Sequence, residues 1–330
     1  MTPRASQRAD SSHTLPRAPD AHSFVDVAVV VVPRTPAPRL RPVEVPRVPI
    51  DAPAPTVTAA PIATLTLEPY RRSVAVRVVA PNGTPGLFTF DTAGGYTIAS
   101  PEFAAAAGCK PWGELSGFTM TGTRLQMQRC DGLHFEVNGH PLTAPVAGVM
   151  QVAPLVAKDA APIEGLLALD VFAGQTITMD FAGGKLYVES PESAKQRIVG
   201  ARELPIRLSH EQQGLALAIN LEVPTTQGIA RFELDSGNGG TLLVSRAFAS
   251  QFGFDPEAKA PVQGTIPVAP GIDARGLVML PEMNIDGNLG MPFLKDWIVT
   301  VDLAAGRLWM QPTRAIPPPN MGVPPPLPKK

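Results

Sequence analysis

Asp91 and Asp235 are the residues of this chain whose type and setting best suit chemistry. Each follows a short apolar strand and precedes a hydroxyl residue and a glycine-rich turn, in Phe88-Thr-Phe-Asp-Thr-Ala-Gly-Gly95 and Phe232-Glu-Leu-Asp-Ser-Gly-Asn-Gly239. Two carboxylates close enough to share a proton cannot both ionise easily. One keeps the proton as an acid, which leaves the other as a base.

The likeness extends past the acids. Ser100-Pro-Glu-Phe-Ala leads to Gly108 as Ser245-Arg-Ala-Phe-Ala leads to Gly253. Farther on, Ile163–Phe172 matches Ile285–Leu294, and Ile177–Val188 matches Val299–Met310. Both downstream blocks recur after 122 positions and the acids after 144, so the first half carries 22 extra residues between them. A repeat this long describes two whole lobes, since the units of a solenoid span roughly 20 to 50 residues.

The elements that must carry the acids read mainly as strands. Ser73–Val79 and Gly214–Leu221 are β-rich, and each leads through a turn to the strand that ends at an acid. Gly183-Gly184 and Ala305-Gly306 each separate two β-prone runs, which predicts a closing hairpin in each lobe. Short helices are expected after the acid loops: Ser100-Pro101-Glu102 offers a cap, a first-turn proline and a first-turn acid, and Ser245 repeats the cap. Gly108 and Gly253 suit the helix ends.

Composition narrows the functions available. A net charge of −1 and a charged fraction of 17% give no field to attract nucleic acid or an anionic membrane. Of 38 prolines, eleven fall in residues 1–60 and eight in 311–330, so both ends are expected to be disordered. The run Phe24–Val32 is interrupted by Asp26 and is far short of the roughly 20 residues that cross a bilayer. It starts late and is followed by Pro33-Arg-Thr-Pro, which does not read as a signal peptide. Cys109 and Cys130 lie in the first lobe only. They either pair, adding roughly 3 kcal/mol through a loop of about 20 residues, or stay free and buried. Two cysteines and five scattered histidines match no usual metal spacing, so no metal is expected.

Together, the Asp-Thr-Ala-Gly and Asp-Ser-Gly-Asn turns and the later apolar runs resemble the aspartic peptidases of the retropepsin and pepsin group. The resemblance covers about residues 66–312 and is nearest to bacterial two-lobe, single-chain members. It implies an all-β fold with few short helices: two homologous acid-protease β-barrel lobes with a cleft between them. The expected domains are a disordered segment 1–65, lobes 66–195 and 196–312, and a disordered tail 313–330.

The implied activity is peptide-bond hydrolysis by a water that Asp91 and Asp235 activate, one acid as base and the other as donor to the carbonyl oxygen. Thr92 and Ser236 would bridge the two loops beneath the acids. Gly94, Gly95, Gly237 and Gly239 would let main-chain N–H groups approach the carboxylates, with Ala93 beside them in the first loop. A hairpin flap is expected at Gly117–Arg124, with Phe118, Met120 and Gly122 near substrate. The implied protein is a monomer with an intramolecular dyad, a polypeptide substrate and no cofactor, and its cysteines and resemblance lean toward a periplasmic or secreted location.

Ala93 and Ala168 stand where the group has glycines, whereas the second lobe keeps Gly237 and Gly290. The alternative is therefore a catalytically impaired peptide-binding protein of the same fold. A third reading makes both aspartates structural turn residues, which leaves the in-register repetition unexplained. A dinucleotide turn beginning at Gly237 fails because Leu242 occupies its last glycine position.

Overall fold

The computed structural model describes residues 56–152, 161–211 and 214–324. The run Phe24–Val32 and the prolines 325–326 lie outside these residues.

Alternating and β-branched runs form strands that bury one face, as their period of two requires. The first half makes an eight-stranded sheet. Its strands lie in the order Glu68–Tyr70, Ser73–Val79, Pro85–Phe90, Gly165–Leu167, Ile98–Ala99, His140–Val149, Arg124–Val137 and Trp112–Phe118. The second half makes a seven-stranded sheet in the order Ile206–Glu211, Ala216–Thr225, Gly228–Leu234, Gly287–Leu289, Leu242–Val244, Ile272–Met279 and Val262–Ala269. Position by position the two orders correspond. Trp112–Phe118 is the addition in the first half, and it pairs with the long strand Arg124–Val137 as a hairpin.

A six-stranded sheet joins the halves. Ala63–Thr66, Lys185–Val188 and Thr176–Asp180 come from the first, then Trp297–Asp302, Arg307–Pro312 and Arg202–Leu204 complete it in mirrored order. At its centre Thr178 pairs with Thr300, and their buried hydroxyls lie 2.9 Å apart. The protein is thus a mostly β fold of two homologous lobes with a cleft between them.

One apolar core runs through both halves and includes Phe88, Phe90, Phe181, Phe232 and Phe293. Each such side chain contributes roughly 1.5–3 kcal/mol on burial. The closing hairpins turn at Gly184 and Gly306, with φ of +66° and +64°, a region open to glycine.

The helix after the first acid loop, Pro101–Ala106, is capped by Ser100 Oγ, which accepts from Phe103 N–H at 3.1 Å. Its counterpart Arg246–Phe252 is a 3₁₀ helix, and Ser245 makes no side-chain cap there. That half lacks the proline and acid that start the first helix, and the tighter turn results.

The ends are packed farther out than expected. Ala63–Thr66 is a strand on Lys185–Val188. Residues 313–324, expected in a disordered tail, return over the body: Met321 is buried and Gly322 N–H donates to Arg72 O at 2.9 Å. A single apolar anchor and main-chain bonds suffice to hold a Pro-rich segment that loses little entropy on ordering. Cys109 and Cys130 form a disulfide between the end of the first helix and the strand Arg124–Val137. No helix among the described residues is long and apolar enough to cross a membrane.

Candidate active site

Each acid ends a strand that is backed by the later apolar strand of its own half. Phe88, Thr89 and Phe90 pair in parallel with Gly165, Leu166 and Leu167, and Phe232, Glu233 and Leu234 pair with Gly287, Asn288 and Leu289. The main-chain N–H of Asp91 donates to Leu167 O at 2.9 Å, and that of Asp235 to Leu289 O at 3.1 Å. Thus each backing strand fixes the point where the chain turns into its acid loop.

Thr92 and Ser236 then lock the loops to each other. Thr92 Oγ1 donates to Leu234 O at 2.6 Å and accepts from Ser236 N–H at 3.0 Å. Reciprocally, Ser236 Oγ donates to Phe90 O at 2.8 Å and accepts from Thr92 N–H at 3.0 Å. Both side chains are buried, so each of these bonds satisfies a group that water cannot reach.

Above this lock the carboxyls of Asp91 and Asp235 lie in hydrogen-bonding contact. Burial, followed by the facing charge of Asp235, holds the Asp91 carboxyl well above the usual carboxylate range, against the N–H donors of Ala93 and Gly237. Ala93 N–H donates to Asp91 Oδ1 at 3.0 Å. Asp235 Oδ1 accepts from Asn238 N–H at 2.9 Å, and its Oδ2 accepts from Asn288 Nδ2 at 2.7 Å. A third acid, Glu233, is also held well above its ordinary range, by burial and then by Asp235, Asp91 and Glu211.

The pair opens into a cavity of about 710 Å³ between the halves. Met120, Leu125, Ile163 and Leu166 line it from the first half, and Leu243 and Met279 from the second. Arg71 and Arg72 line it at the turn that precedes Ser73–Val79. The flap hairpin reaches across: Met120 O, at its tip, accepts from Asn284 N–H at 2.9 Å.

The glycine positions have distinct settings. A Cβ on Gly237 would overlap the Asp91 carboxylate, and one on Gly94 would overlap Leu166. Gly239 instead abuts Arg72, where a Cβ would sit 2.7 Å from the arginine Cβ. Gly95 O accepts from Leu217 N–H at 2.8 Å, a further link between the halves. Ala168 is fully buried at the start of a 3₁₀ turn, and the lock around Thr92 and Ser236 forms with that methyl in place.

Phe118 does not reach the cavity. Leu115 is buried and Gly117 faces Tyr96, so strand alternation turns Phe118 to the outer face, where it is 63% exposed. Gly122 lies in the flap turn at φ +84°, beside Asn284.

Several site groups had no counterpart among the expected residues: Asn238 and Asn288, Glu233, and the buried pair Thr97 and Asp170. Thr97 Oγ1 donates to Asp170 Oδ1 at 2.8 Å and accepts from Ala168 N–H at 3.3 Å, which braces the first acid loop against its backing strand. The signal for Asn288 is its place as the one polar residue within Gly287-Asn-Leu-Gly-Met291, aligned with Leu166.

No family model matches the chain, and no curated protein sequence matches it. Among solved structures, basic 7S globulin from soybean overlaps 75% of this chain and 94% of its own, at 11% identity and a TM-score of 0.48. Conglutin gamma from lupine seeds, a basic 7S globulin, overlaps 76% and 94% at 10% identity and a TM-score of 0.49. An aspartic proteinase from Irpex lacteus overlaps 77% and 98% at 11% identity and a TM-score of 0.47.

Proposed function

We propose that the protein is an aspartic endopeptidase that hydrolyses peptide bonds in the cleft between its halves. The observation that carries this reading is the paired contact of Asp91 and Asp235 above the reciprocal Thr92 and Ser236 lock. A polypeptide lies along the cleft under the flap, and the apolar lining favours hydrophobic side chains beside the cut bond. One carboxylate takes a proton from water as that water attacks the carbonyl carbon, while the other carboxyl donates to the carbonyl oxygen. Both acids belong to one chain, so a monomer carries the complete pair.

A peptide-binding protein without catalysis is the second reading, and Ala93 favours it. Ala93 matches Gly237, a position where a Cβ would overlap the facing acid. The test is cleavage of a diverse peptide library from pH 3 to 7 by the parent, by Asp235→Asn and by Ala93→Gly, with and without a statine-type transition-state analogue. Cleavage by the parent that vanishes in Asp235→Asn and with the analogue supports the peptidase. Saturable binding of the analogue without cleavage, with activity gained in Ala93→Gly, supports the second reading.

A further inference from the structure

The two halves do not treat their acids alike. Both oxygens of Asp235 accept from the protein: Oδ1 from Asn238 N–H and Oδ2 from the Asn288 carboxamide. The orientation of that carboxamide follows from its neighbours. Asn238 Nδ2 lies 2.8 Å from Thr241 O, and a carbonyl oxygen only accepts, so Nδ2 is the donating end. Asn238 Oδ1 accordingly accepts from Gly240 N–H at 3.2 Å. Asn238 Nδ2 also donates to Asn288 Oδ1 at 2.8 Å. The other end of Asn288 is therefore its NH₂ group, and it faces Asp235 Oδ2, which must accept.

Among the described residues, the first half has no such donor. Strand register places Leu166 beside Thr89 where it places Asn288 beside Glu233. Leu166 adds apolar surface next to the Asp91 loop and offers no hydrogen bond. Among the described residues, the donors to Asp91 are the main-chain N–H groups of Ala93 and Gly237.

We infer that Asn288 is a positioning residue that holds Asp235 as the ionised base of the pair and leaves the shared proton on Asp91, the general acid. The catalytic part of this assignment rests on the peptidase reading. The charged groups that bear on Asp235 are Asp91 across the cleft, Glu233 on its own strand, Glu211 on the outer strand of that sheet, and Arg71 and Arg72 at the cavity wall. Burial, followed by the charges of Asp235, Asp91 and Glu211, raises the Glu233 carboxyl well above its ordinary range, which disfavours a second anion beside Asp235. The raised Asp91 carboxyl has the same direction as the assignment.

The hydrolytic sequence then balances. Asp235 takes a proton from water as the water oxygen bonds to the carbonyl carbon, and Asp91 gives its proton to the carbonyl oxygen, forming a neutral gem-diol. Asp91 next takes the proton back from one hydroxyl as the carbonyl re-forms. Asp235 passes its proton to the amide nitrogen as the C–N bond breaks, and both acids return to their starting states.

The test is a titration of the aspartate carboxyl carbons by NMR in the full chain from pH 2 to 8, with Asp91→Asn and Asp235→Asn used to assign the two resonances. Asp235 is expected to ionise first, with Asp91 still protonated at least one pH unit above that point. Ionisation of Asp91 first in the parent overturns the assignment, and this holds whether or not Asn288→Leu folds. In Asn288→Leu the first ionisation is expected to move up by about one pH unit, a tenfold change in proton affinity, and the acidic limb of kcat/KM to move with it. A folded Asn288→Leu with an unchanged titration overturns the role of Asn288. Leu166→Asn, which offers the first half a donor, is expected to lower the Asp91 ionisation. No titration step requires peptide cleavage, so an inactive protein with the expected order refutes the peptidase reading alone.

Discussion

Gly290 lies against Asn238 with no room for a methyl group: a Cβ there would fall 2.8 Å from Asn238 Cγ and overlap its carbonyl oxygen. That oxygen is already bonded by Met291 N–H at 2.8 Å. The matching residues of the first half are Ala168 and Gly94, so there the bulk sits on the backing strand and the glycine in the acid loop. Gly290→Ala is therefore expected to cost about 1–3 kcal/mol as an overpacked site. Displacing the Asp235 loop by about 1 Å would lower cleavage on the order of 100-fold. Ala168→Gly should cost only about 0.5–1 kcal/mol. Denaturant unfolding of the two variants, with cleavage measured alongside, checks the contrast; equal losses would refute the exchange of bulk.

Thr92 and Ser236 each make two bonds to the opposite loop, so removing one hydroxyl leaves buried partners unsatisfied. Thr92→Val and Ser236→Ala are expected to cost about 1–3 kcal/mol each. Their effects should couple, with an interaction energy of about 0.5–3 kcal/mol, because each hydroxyl also accepts from the other residue's main chain. A double-mutant cycle by urea unfolding reads this directly, and strict additivity would mean that the loops are held by other contacts.

Much of this site is visible in the chain because it occurs twice. Asp91 with Thr92, and Asp235 with Ser236, recur ahead of backing strands in the same order, and one sheet topology accommodates both halves. What escapes the linear reading depends on contacts made across the fold. Ala168 looks like a defect beside the glycine pattern until Gly94 is seen opposite the backing strand. Asn288 looks like an impurity in an apolar block until Asn238 fixes its amide toward Asp235. The outward face of Phe118 depends on register against Arg124–Val137.

The Cys109–Cys130 bridge spans 21 positions and ties the first helix to the strand that carries the flap. Cys109→Ala with Cys130→Ala is expected to lose roughly 3 kcal/mol. Thermal unfolding with and without reductant tests this, and a parent whose midpoint ignores reductant would place little stability in the bridge.

Gly122 turns the flap tip at φ +84°, where an L side chain carries strain. Gly122→Val should cost about 1–3 kcal/mol locally. The turn lies at the cleft mouth and outside the apolar core, so KM should rise several-fold while the unfolding midpoint falls by no more than the several degrees that this strain implies. Peptide kinetics with a calorimetric scan checks the split; a large fall in midpoint without a change in KM would assign the turn to stability.

Acid stability follows from buried carboxyls. Asp170 is pushed up to about 6 by burial, against the Thr97 donors, and Asp91 and Glu233 are held high as well. A folded-state value above the unfolded one means that the native state binds the extra protons, so stability declines as pH rises. For Asp170 the contribution is complete below about pH 4 and is lost through about pH 6. The raised value corresponds to roughly 3 kcal/mol. The exposed Glu203, lowered by its bond to Arg307, pulls the other way but is screened by solvent. Urea midpoints should therefore fall between pH 4 and 7, and the fall should be smaller in Asp170→Asn, whose amide does not ionise. A parent that becomes more stable over this range would mean that the buried carboxyls, Asp170 first among them, bind no extra protons in the folded state.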